Sequence, residues 1–197
     1  IKVKRPDIYN IFMKQSRDIQ WWLDIIPSRF DCIRAKEKWK EVQANLFRQL
    51  DFANEVKYLN FFNENHKYCI IPKPYTELCK QDIIVMDWLD GTTLTYIDDL
   101  NFNDEEKKNL GSQFAMFISD SYKSGNIHMD LHFGNIMICP GNKIGIVDFG
   151  LMCPVEKEKG HKLLAACRGI FFKDYSKFID SFIALYACHK VDDMEFK

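Results

Sequence analysis

The sequence predicts an α+β fold, in which a half made of short strands and helices precedes a mostly helical half. Two patterns predict it: apolar residues that recur at three- and four-residue steps, and short β-rich runs that turn residues separate. Both patterns occur in the first half, whereas helical spacing dominates the second half. The change falls near residues 87–91, so we divide the chain into residues 1–88 and 89–197.

The first half opens with an extended stretch and continues as helix. Residues 1–6, Ile-Lys-Val-Lys-Arg-Pro, contain no initiator Met and are typical of the middle of a strand, so we expect the chain to be part of a longer protein. At least one long helix should follow, because no proline occurs between Pro27 and Pro72. Its apolar positions are Trp39, Val42, Leu46 and Leu50.

Two short β-rich runs follow the predicted helix. Residues 69–71 and 83–86 are rich in isoleucine and valine, and prolines and a polar turn separate them, which indicates neighbouring strands. The second run ends in an Asp90-Gly91 turn. The abundant phenylalanine and tryptophan indicate an aromatic core, and we expect Trp21 and Trp22 in that core rather than on a partner or lipid surface.

The second half contains a helix with clear ends. The Asn103 side chain can cap its start with Glu106 three positions later, and Gly125 can end it. The buried stripe of this helix should contain Leu110, Phe114, Phe117 and Ile118. Helical apolar spacing also continues from Phe178 to Leu185, close to the last residue, so we expect that the C-terminus is truncated.

Composition excludes several classes of protein. With 47% hydrophobic and 28% charged residues, the chain has the composition of a globular domain with one core. A net charge of -1 argues against nucleic acid as a main partner. The seven cysteines are odd in number and form no C-x-x-C pair, which argues against a disulfide framework and a zinc site and favours a reducing compartment.

Three polar residues should converge beside a β-hairpin. Residues 136–139 and 144–147 are predicted to form its two short strands, and the segment Pro-Gly-Asn-Lys between them has the residues of a turn. Pairing would bring Asn135, before the first strand, close to Asp148, after the second, with Asp130 in the preceding loop. Hard oxygen donors of this kind suit Mg²⁺, which completes its coordination with water and phosphate oxygens. A nucleotide is therefore the expected ligand.

The order of these residues is that of the protein-kinase catalytic apparatus. There, a catalytic-loop Asp is followed five positions later by Asn, and then by Asp-Phe-Gly. Asp130, Asn135 and residues 148–150 match this order and spacing. The alternative is that these residues merely form turns, and the joint match of two motifs makes it the weaker interpretation.

The form of the loop, H-x-D-x-H-x-G-N at residues 128–135, resembles the UbiB family of atypical kinase-like proteins, also called aarF-domain kinases. Residues 1–6 look like the third strand of that family, residues 49–55 like its E-x-D-x-x-x-E helix and residues 85–91 like its hinge. The departures are Gln49, Tyr58 and Phe133. The resemblance implies a two-lobed kinase-like fold, with a partial first lobe at 1–88 and a truncated second lobe at 89–197.

The resemblance also implies roles for residues of the first lobe. Lys2 would contact the α- and β-phosphates of ATP, and Glu55 would orient it through an ion pair that joins a strand to a helix. Lys4 lies one pleat away on the same strand face, so the local pattern alone does not choose between the two lysines. Asp51 could share the anchoring with Glu55.

The remaining site residues belong to the hinge and the second lobe. The backbone carbonyl of Asp87 and the N–H of Leu89 would bond the adenine, and Met86 would line the back of the pocket. Asp130 would orient or deprotonate an acceptor hydroxyl, or a water molecule in an ATPase. Asn135 and Asp148 would hold Mg²⁺. A zinc site at His128 and His132 is the weaker interpretation, since no third ligand is near in sequence.

The family resemblance also implies a function for the chain. UbiB proteins are associated with ubiquinone biosynthesis and isoprenoid-lipid metabolism, which implies ATP and Mg²⁺ as cofactors and an unidentified small-molecule or lipid acceptor. The family is mitochondrial, plastid or bacterial-membrane-associated, which is compatible with peripheral membrane association, although no segment of the chain itself encodes a location. Two alternatives remain: a small-molecule kinase of the aminoglycoside or choline type, and a non-catalytic scaffold.

Overall fold

The computed structural model describes residues 1–25, 35–99 and 101–186. Its helices are α1 (Ile8–Ile25), α2 (Ala35–Gln49), α3 (Phe52–Asn65), α4 (Asp104–Ser124), α5 (Lys157–Phe171) and α6 (Tyr175–Tyr186). Its strands are β1 (Lys2–Val3), β2 (Ile83–Ile84), β3 (Thr92–Thr93), β4 (Asn126–His128), β5 (Ile136–Cys139), β6 (Lys143–Ile146) and β7 (Met152–Pro154). The predicted α+β fold is confirmed, and the division at residue 88 stays a prediction.

The long helix predicted up to residue 50 is confirmed as α2, and a second helix, α3, follows it after a short break. Asp51 separates them, because its extended backbone ends the helical path and its side chain accepts a hydrogen bond from the Ala53 N–H at 3.1 Å. This N-cap supplies a partner for one of the free N–H groups at the start of α3. Trp39, Val42 and Leu46 of the predicted apolar positions lie in α2, and Leu50 directly follows its last residue. Pro27 lies outside the described residues.

The two predicted β-rich runs, residues 69–71 and 83–86, are not paired with each other as neighbouring strands. Ile70 forms an isolated bridge with Gly145 of the hairpin, and β2 pairs with β1, with Lys2 opposite Ile84. Residues 73–75 and 85–87 do lie side by side, but through a single bridge between Pro74 and Met86. Proline has no N–H to donate, so this segment cannot form a continuous ladder.

The predicted hairpin and the predicted helix after Asn103 are both confirmed. Strands β5 and β6 pair with Ile136 opposite Ile146, and β3 adds to the other edge of β5. Helix α4 carries the capping box between Asn103 and Glu106, and it ends at Gly125 in the left-handed conformation. Leu110 and Phe117 of the predicted stripe are buried; Phe114 and Ile118 are half-buried against the same core.

Three aromatic side chains form the centre of the core. Phe62 of α3, Phe117 of α4 and Phe149 are almost fully buried, with Phe62 5.3 Å from Phe117 and 5.2 Å from Phe149 between ring centroids. Phe149 directly follows Asp148 in the chain, so its burial in the core fixes the loop that carries this predicted site residue. The expectation that Trp21 and Trp22 are core residues was wrong, since both are more than half exposed.

Helix α5 packs against α4, and α6 packs against α5. Strand β7 pairs with β4, and α5 and α6 follow it. The helical spacing predicted from Phe178 onward corresponds to α6. No helix among the described residues is long and apolar enough to cross a membrane. The five described cysteines are free thiols, and Cys32 and Cys188 lie outside the described part of the chain.

Candidate active site

An ion pair joins the first strand to the third helix. The Lys2 ammonium lies 2.9 Å from both carboxylate oxygens of Glu55. Glu55 is only 1% exposed, because it lies in the first turn of α3 among the buried residues of that helix. Strand β1 places Lys2 over it through the pairing with β2. The structure thus forms the strand-to-helix ion pair that the sequence analysis expected.

Burial and charge act in opposite directions on this pair. Burial raises the pKa of Glu55 above its ordinary value, and the Lys2 ammonium offsets only part of this effect. Burial alone would lower the pKa of Lys2, but the two nearby carboxylates, Glu55 and Asp148, outweigh it and raise the pKa. Removal of either Lys2 or Glu55 would therefore leave a poorly solvated charge behind and lower the stability of the fold.

The structure decides between the alternatives that the local sequence left open. Lys4 points elsewhere: its ammonium lies 2.9 Å from the Asp82 carboxylate and 2.8 Å from the Gln81 carbonyl oxygen. Asp51 caps α3. Neither residue contributes to the Lys2–Glu55 pair, so Lys2 and Glu55 are the candidates for nucleotide anchoring.

Asp148 contacts the same lysine from the second lobe. One of its carboxylate oxygens, Oδ1, lies 3.0 Å from the Lys2 ammonium and accepts a hydrogen bond from the Gly150 N–H at 3.2 Å. Its backbone is left-handed, with φ of 62°. Such a conformation is uncommon for a residue other than glycine, and it is typical of functional loops. Apart from the Asp-Phe-Gly motif, nothing in the sequence predicts this conformation.

The catalytic-loop residues are tied to the hairpin by short hydrogen bonds. The Asn135 side-chain amide donates to the Asp130 carbonyl oxygen at 2.9 Å, and the Val147 N–H donates to the Asn135 carbonyl oxygen at 3.0 Å. The structure therefore brings Asn135 beside the residue that precedes Asp148, as the hairpin predicted. Asp130 is half-buried, and its side chain is 44% exposed.

Two oxygen atoms remain available for a metal ion. Within the described residues, neither Asn135 Oδ1 nor Asp148 Oδ2 has a hydrogen-bond partner. The described residues contain no group of three or more histidine, cysteine or carboxylate side chains that could hold a metal. A site with one amide and one carboxylate oxygen fits Mg²⁺, whose other ligands are water and phosphate oxygens. At the alternative zinc site, Nδ1 of His128 accepts the Asp130 N–H and Nδ1 of His132 accepts the Gly134 N–H.

His128 holds the catalytic loop through a hydrogen bond to Asp130 and a ring contact with Phe149. Its Nδ1 accepts a hydrogen bond from the Asp130 N–H at 3.2 Å, and its ring packs 5.2 Å from the Phe149 ring. Burial lowers the pKa of His128 to about 4, and the nearby backbone and carboxylate of Asp148 only partly offset this. His128 is therefore neutral at pH 7, and it carries its proton on Nε2 because Nδ1 is an acceptor.

We expect the stability of the fold to decrease as the pH falls from about 6.5 to about 4. In this interval the unfolded chain binds a proton at His128 and the folded chain does not, so the folded state loses about 3 kcal/mol. Urea unfolding at several pH values measures the loss. In the His128→Leu variant, the free energy of unfolding should change less steeply with pH, by the slope that corresponds to uptake of at most one proton. An unchanged slope would show that His128 is not the source of the pH dependence.

The predicted hinge segment is anchored to residues 73–75 by the Asp87 side chain. Asp87 accepts hydrogen bonds with its side chain from the Lys73 N–H and the Tyr75 hydroxyl, at 3.2 Å and 2.8 Å. This fixes the segment that carries Met86, Asp87 and Leu89. Within the described residues, the Asp87 carbonyl and the Leu89 N–H have no hydrogen-bond partner, so both are available to a ligand. Their contact with adenine stays a prediction.

A cleft of about 310 Å³ connects the charged residues. Lys2, Asp130 and Asp148 line it together. Met86, Asp87 and Leu89 are not among its lining residues. The rest of the wall consists of residues to which the sequence analysis gave no role of their own, although all but Leu151 lie within the two motifs at 49–55 and 148–150: Gln49, Leu50, Phe52, Gly150 and Leu151.

Comparison with known proteins gives a consistent result. The model of the ABC1 atypical kinase-like domain matches residues 1–182. The chain is 26% identical over 191 residues to a probable protein kinase UbiB from Actinobacillus pleuropneumoniae, covering 90% of this chain and 35% of the relative. It is also 26% identical over 199 residues to the protein ACTIVITY OF BC1 COMPLEX KINASE 8, chloroplastic, from Arabidopsis thaliana, covering 94% of this chain and 26% of the relative.

A solved structure shows the same fold. The structure of Rv3197 from Mycobacterium tuberculosis, in complex with erythromycin, superposes with a TM-score of 0.61 at 16% identity, covering 91% of this chain and 46% of that one. The chain spans only about a quarter to a third of the length of the two relatives named above.

Proposed function

Because the chain belongs to the ABC1 atypical kinase-like family, which includes proteins named UbiB, we propose that it is an ATP- and Mg²⁺-dependent atypical kinase or ATPase of the UbiB type. One observation carries the proposal. Lys2 contacts Glu55 and Asp148 together, in a cleft that Asp130 also lines. A lysine held between two lobes in this way is what phosphoryl-transfer enzymes of the kinase type use to position the phosphates of ATP.

In this proposal the first lobe and the hinge hold the nucleotide. Lys2 binds the α- and β-phosphates as a point charge, and Glu55 keeps its side chain in place from below. The free backbone groups of Asp87 and Leu89 bond the adenine, with Met86 behind it.

The second lobe holds the metal ion and positions the acceptor. Asn135 Oδ1 and the Asp148 carboxylate bind Mg²⁺, which when bound offsets negative charge on the transferred phosphoryl group. Asp130 orients the attacking hydroxyl, or a water molecule if the enzyme is an ATPase, and accepts its proton. The hydrogen bond between the Asn135 amide and the Asp130 carbonyl keeps the metal ligand and the base at a fixed separation.

The acceptor follows from the family rather than from the cleft. We extend the proposal to a small-molecule or lipid acceptor linked to ubiquinone or isoprenoid-lipid metabolism, with peripheral membrane association. A mitochondrial, plastid or bacterial-membrane location belongs to the same proposal, and its support is that the Arabidopsis thaliana relative is named chloroplastic.

A thermal-shift experiment with ATP tests the nucleotide site. Ligand that binds only the folded state raises the unfolding temperature by mass action, so ATP with Mg²⁺ should stabilise the full chain more than ATP with EDTA. The Asp148→Asn variant should lose the Mg²⁺-dependent part. Asp82→Asn is the matched control, because Asp82 pairs with Lys4 on the same strand but lies outside the cleft lining.

The outcomes separate enzyme from scaffold. Stabilisation that Asp82→Asn retains and Asp148→Asn loses supports the proposal and justifies a search for the acceptor. No stabilisation of the unmodified full chain would reject the enzyme and leave the non-catalytic scaffold.

A further inference from the structure

A second cavity lies where α4, α5 and α6 meet, and it shares no lining residue with the nucleotide cleft. Its volume is about 160 Å³. Basic side chains dominate its wall, and the two apolar lining residues come from α5 alone. The lining residues are Lys123, His161, Leu164, Ala165, Arg168 and Lys177.

The three cations of this cavity lack acidic partners. Within the described residues, Lys123, Arg168 and Lys177 form no ion pair, and no carboxylate lines the cavity. Lys2 and Lys4 differ in this respect, since each contacts a carboxylate at 2.9 Å. Like charges gathered in one place repel each other, so this arrangement costs free energy until an anion binds.

Helix dipoles explain two of the cations but not the third. Lys123 and Arg168 lie in the last turns of α4 and α5, where a positive charge is favourable. Lys177 lies in the first turn of α6, where a positive charge is unfavourable. The nearby Asp174 carboxylate accepts the Lys177 backbone N–H at 3.1 Å, but it does not line the cavity.

We propose that this cavity binds a phosphate-type anion, at a site distinct from the nucleotide cleft. Arg168 can bond two phosphate oxygens at once, the two lysines add point charges, and His161 can donate an N–H. The volume of about 160 Å³ suits one phosphoryl group. A phosphorylated metabolite and an anionic lipid headgroup share this chemistry.

Titration of the full chain with inorganic phosphate tests the site. Isothermal titration should show binding that falls at least tenfold in affinity in Lys123→Gln and in Lys177→Gln. Lys108→Gln is the matched control, since Lys108 is an exposed lysine on the same helix, 15 residues before Lys123, and does not line the cavity. Asp148→Asn should bind phosphate as the unmodified chain does, which separates this site from the nucleotide cleft.

Vesicles identify the source of the phosphoryl group. Co-sedimentation with vesicles of phosphatidylcholine plus phosphatidic acid, lost in Lys177→Gln and absent with phosphatidylcholine alone, assigns the site to a lipid headgroup. Phosphate binding without co-sedimentation assigns it to a soluble phosphorylated ligand. The proposal is overturned if neither probe binds, or if Lys123→Gln and Lys177→Gln bind phosphate as Lys108→Gln does.

Discussion

Replacement of Lys2 by methionine should destabilise the fold by about 3 kcal/mol at pH 7 and abolish binding of ATP. The change leaves Glu55, which is 1% exposed, as a buried carboxylate without its cation. Removal of one partner from a buried pair costs about 3–5 kcal/mol. The lower end applies because the Lys2 side chain is 32% exposed and water can approach the site. Urea unfolding measures the stability, and the thermal shift with ATP and Mg²⁺ measures the binding.

The loss in this variant should decrease as the pH falls. Burial already raises the pKa of Glu55, and loss of the ammonium raises it further. The folded state then keeps a proton that the unfolded state releases, so the stability of the variant relative to the unmodified chain rises toward acid pH and falls toward alkaline pH. The comparison with the unmodified chain cancels the opposite contribution of His128.

Two further variants distinguish structure from function. Lys4→Met on the same strand should cost less than about 1 kcal/mol, because the partner of Lys4, Asp82, is 66% exposed. The double variant Lys2→Met/Glu55→Gln replaces the buried charge with a neutral amide, so it should recover most of the stability while still failing to bind ATP. Equal losses in Lys2→Met and Lys4→Met would show that the buried pair has no special role.

The part of the site that the sequence could predict consists of residues that lie close together along the chain. Asp130, Asn135 and Asp148 are close in sequence, and a two-stranded hairpin is enough to bring the last two together. Lys2 and Glu55 are 53 residues apart, and no local pattern distinguishes Lys2 from Lys4. Only the family resemblance, and then the pairing of β1 with β2, selected Lys2.

The errors in the fold have identifiable physical causes. Strand pairing around Pro74 was misjudged because proline limits it to one bridge. The exposed Trp21 and Trp22 show that composition indicates how much aromatic surface a chain carries, but not which rings the packing covers.

Replacement of Gly160 by alanine should destabilise the fold by about 3 kcal/mol, near the upper end for an overfilled contact. Gly160 is a buried residue of α5, and a Cβ atom there would overlap the carbonyl oxygen of Tyr122 in α4. Backbone atoms cannot move aside as a flexible side chain can. The two helices would therefore have to separate, at the place where the chain leaves α4 for β4 and the catalytic loop.

Gly111 provides the matched control for this effect. It also lies within a helix, α4, but a Cβ atom at Gly111 would meet no other atom within 4 Å. Alanine there should stabilise the fold by about 0.5–1 kcal/mol, because glycine is the poorer helix former. Opposite signs for Gly160→Ala and Gly111→Ala in urea unfolding would show that α5 packs directly on the backbone of α4. Two changes of the same sign would mean that helix propensity, and not this contact, governs both positions.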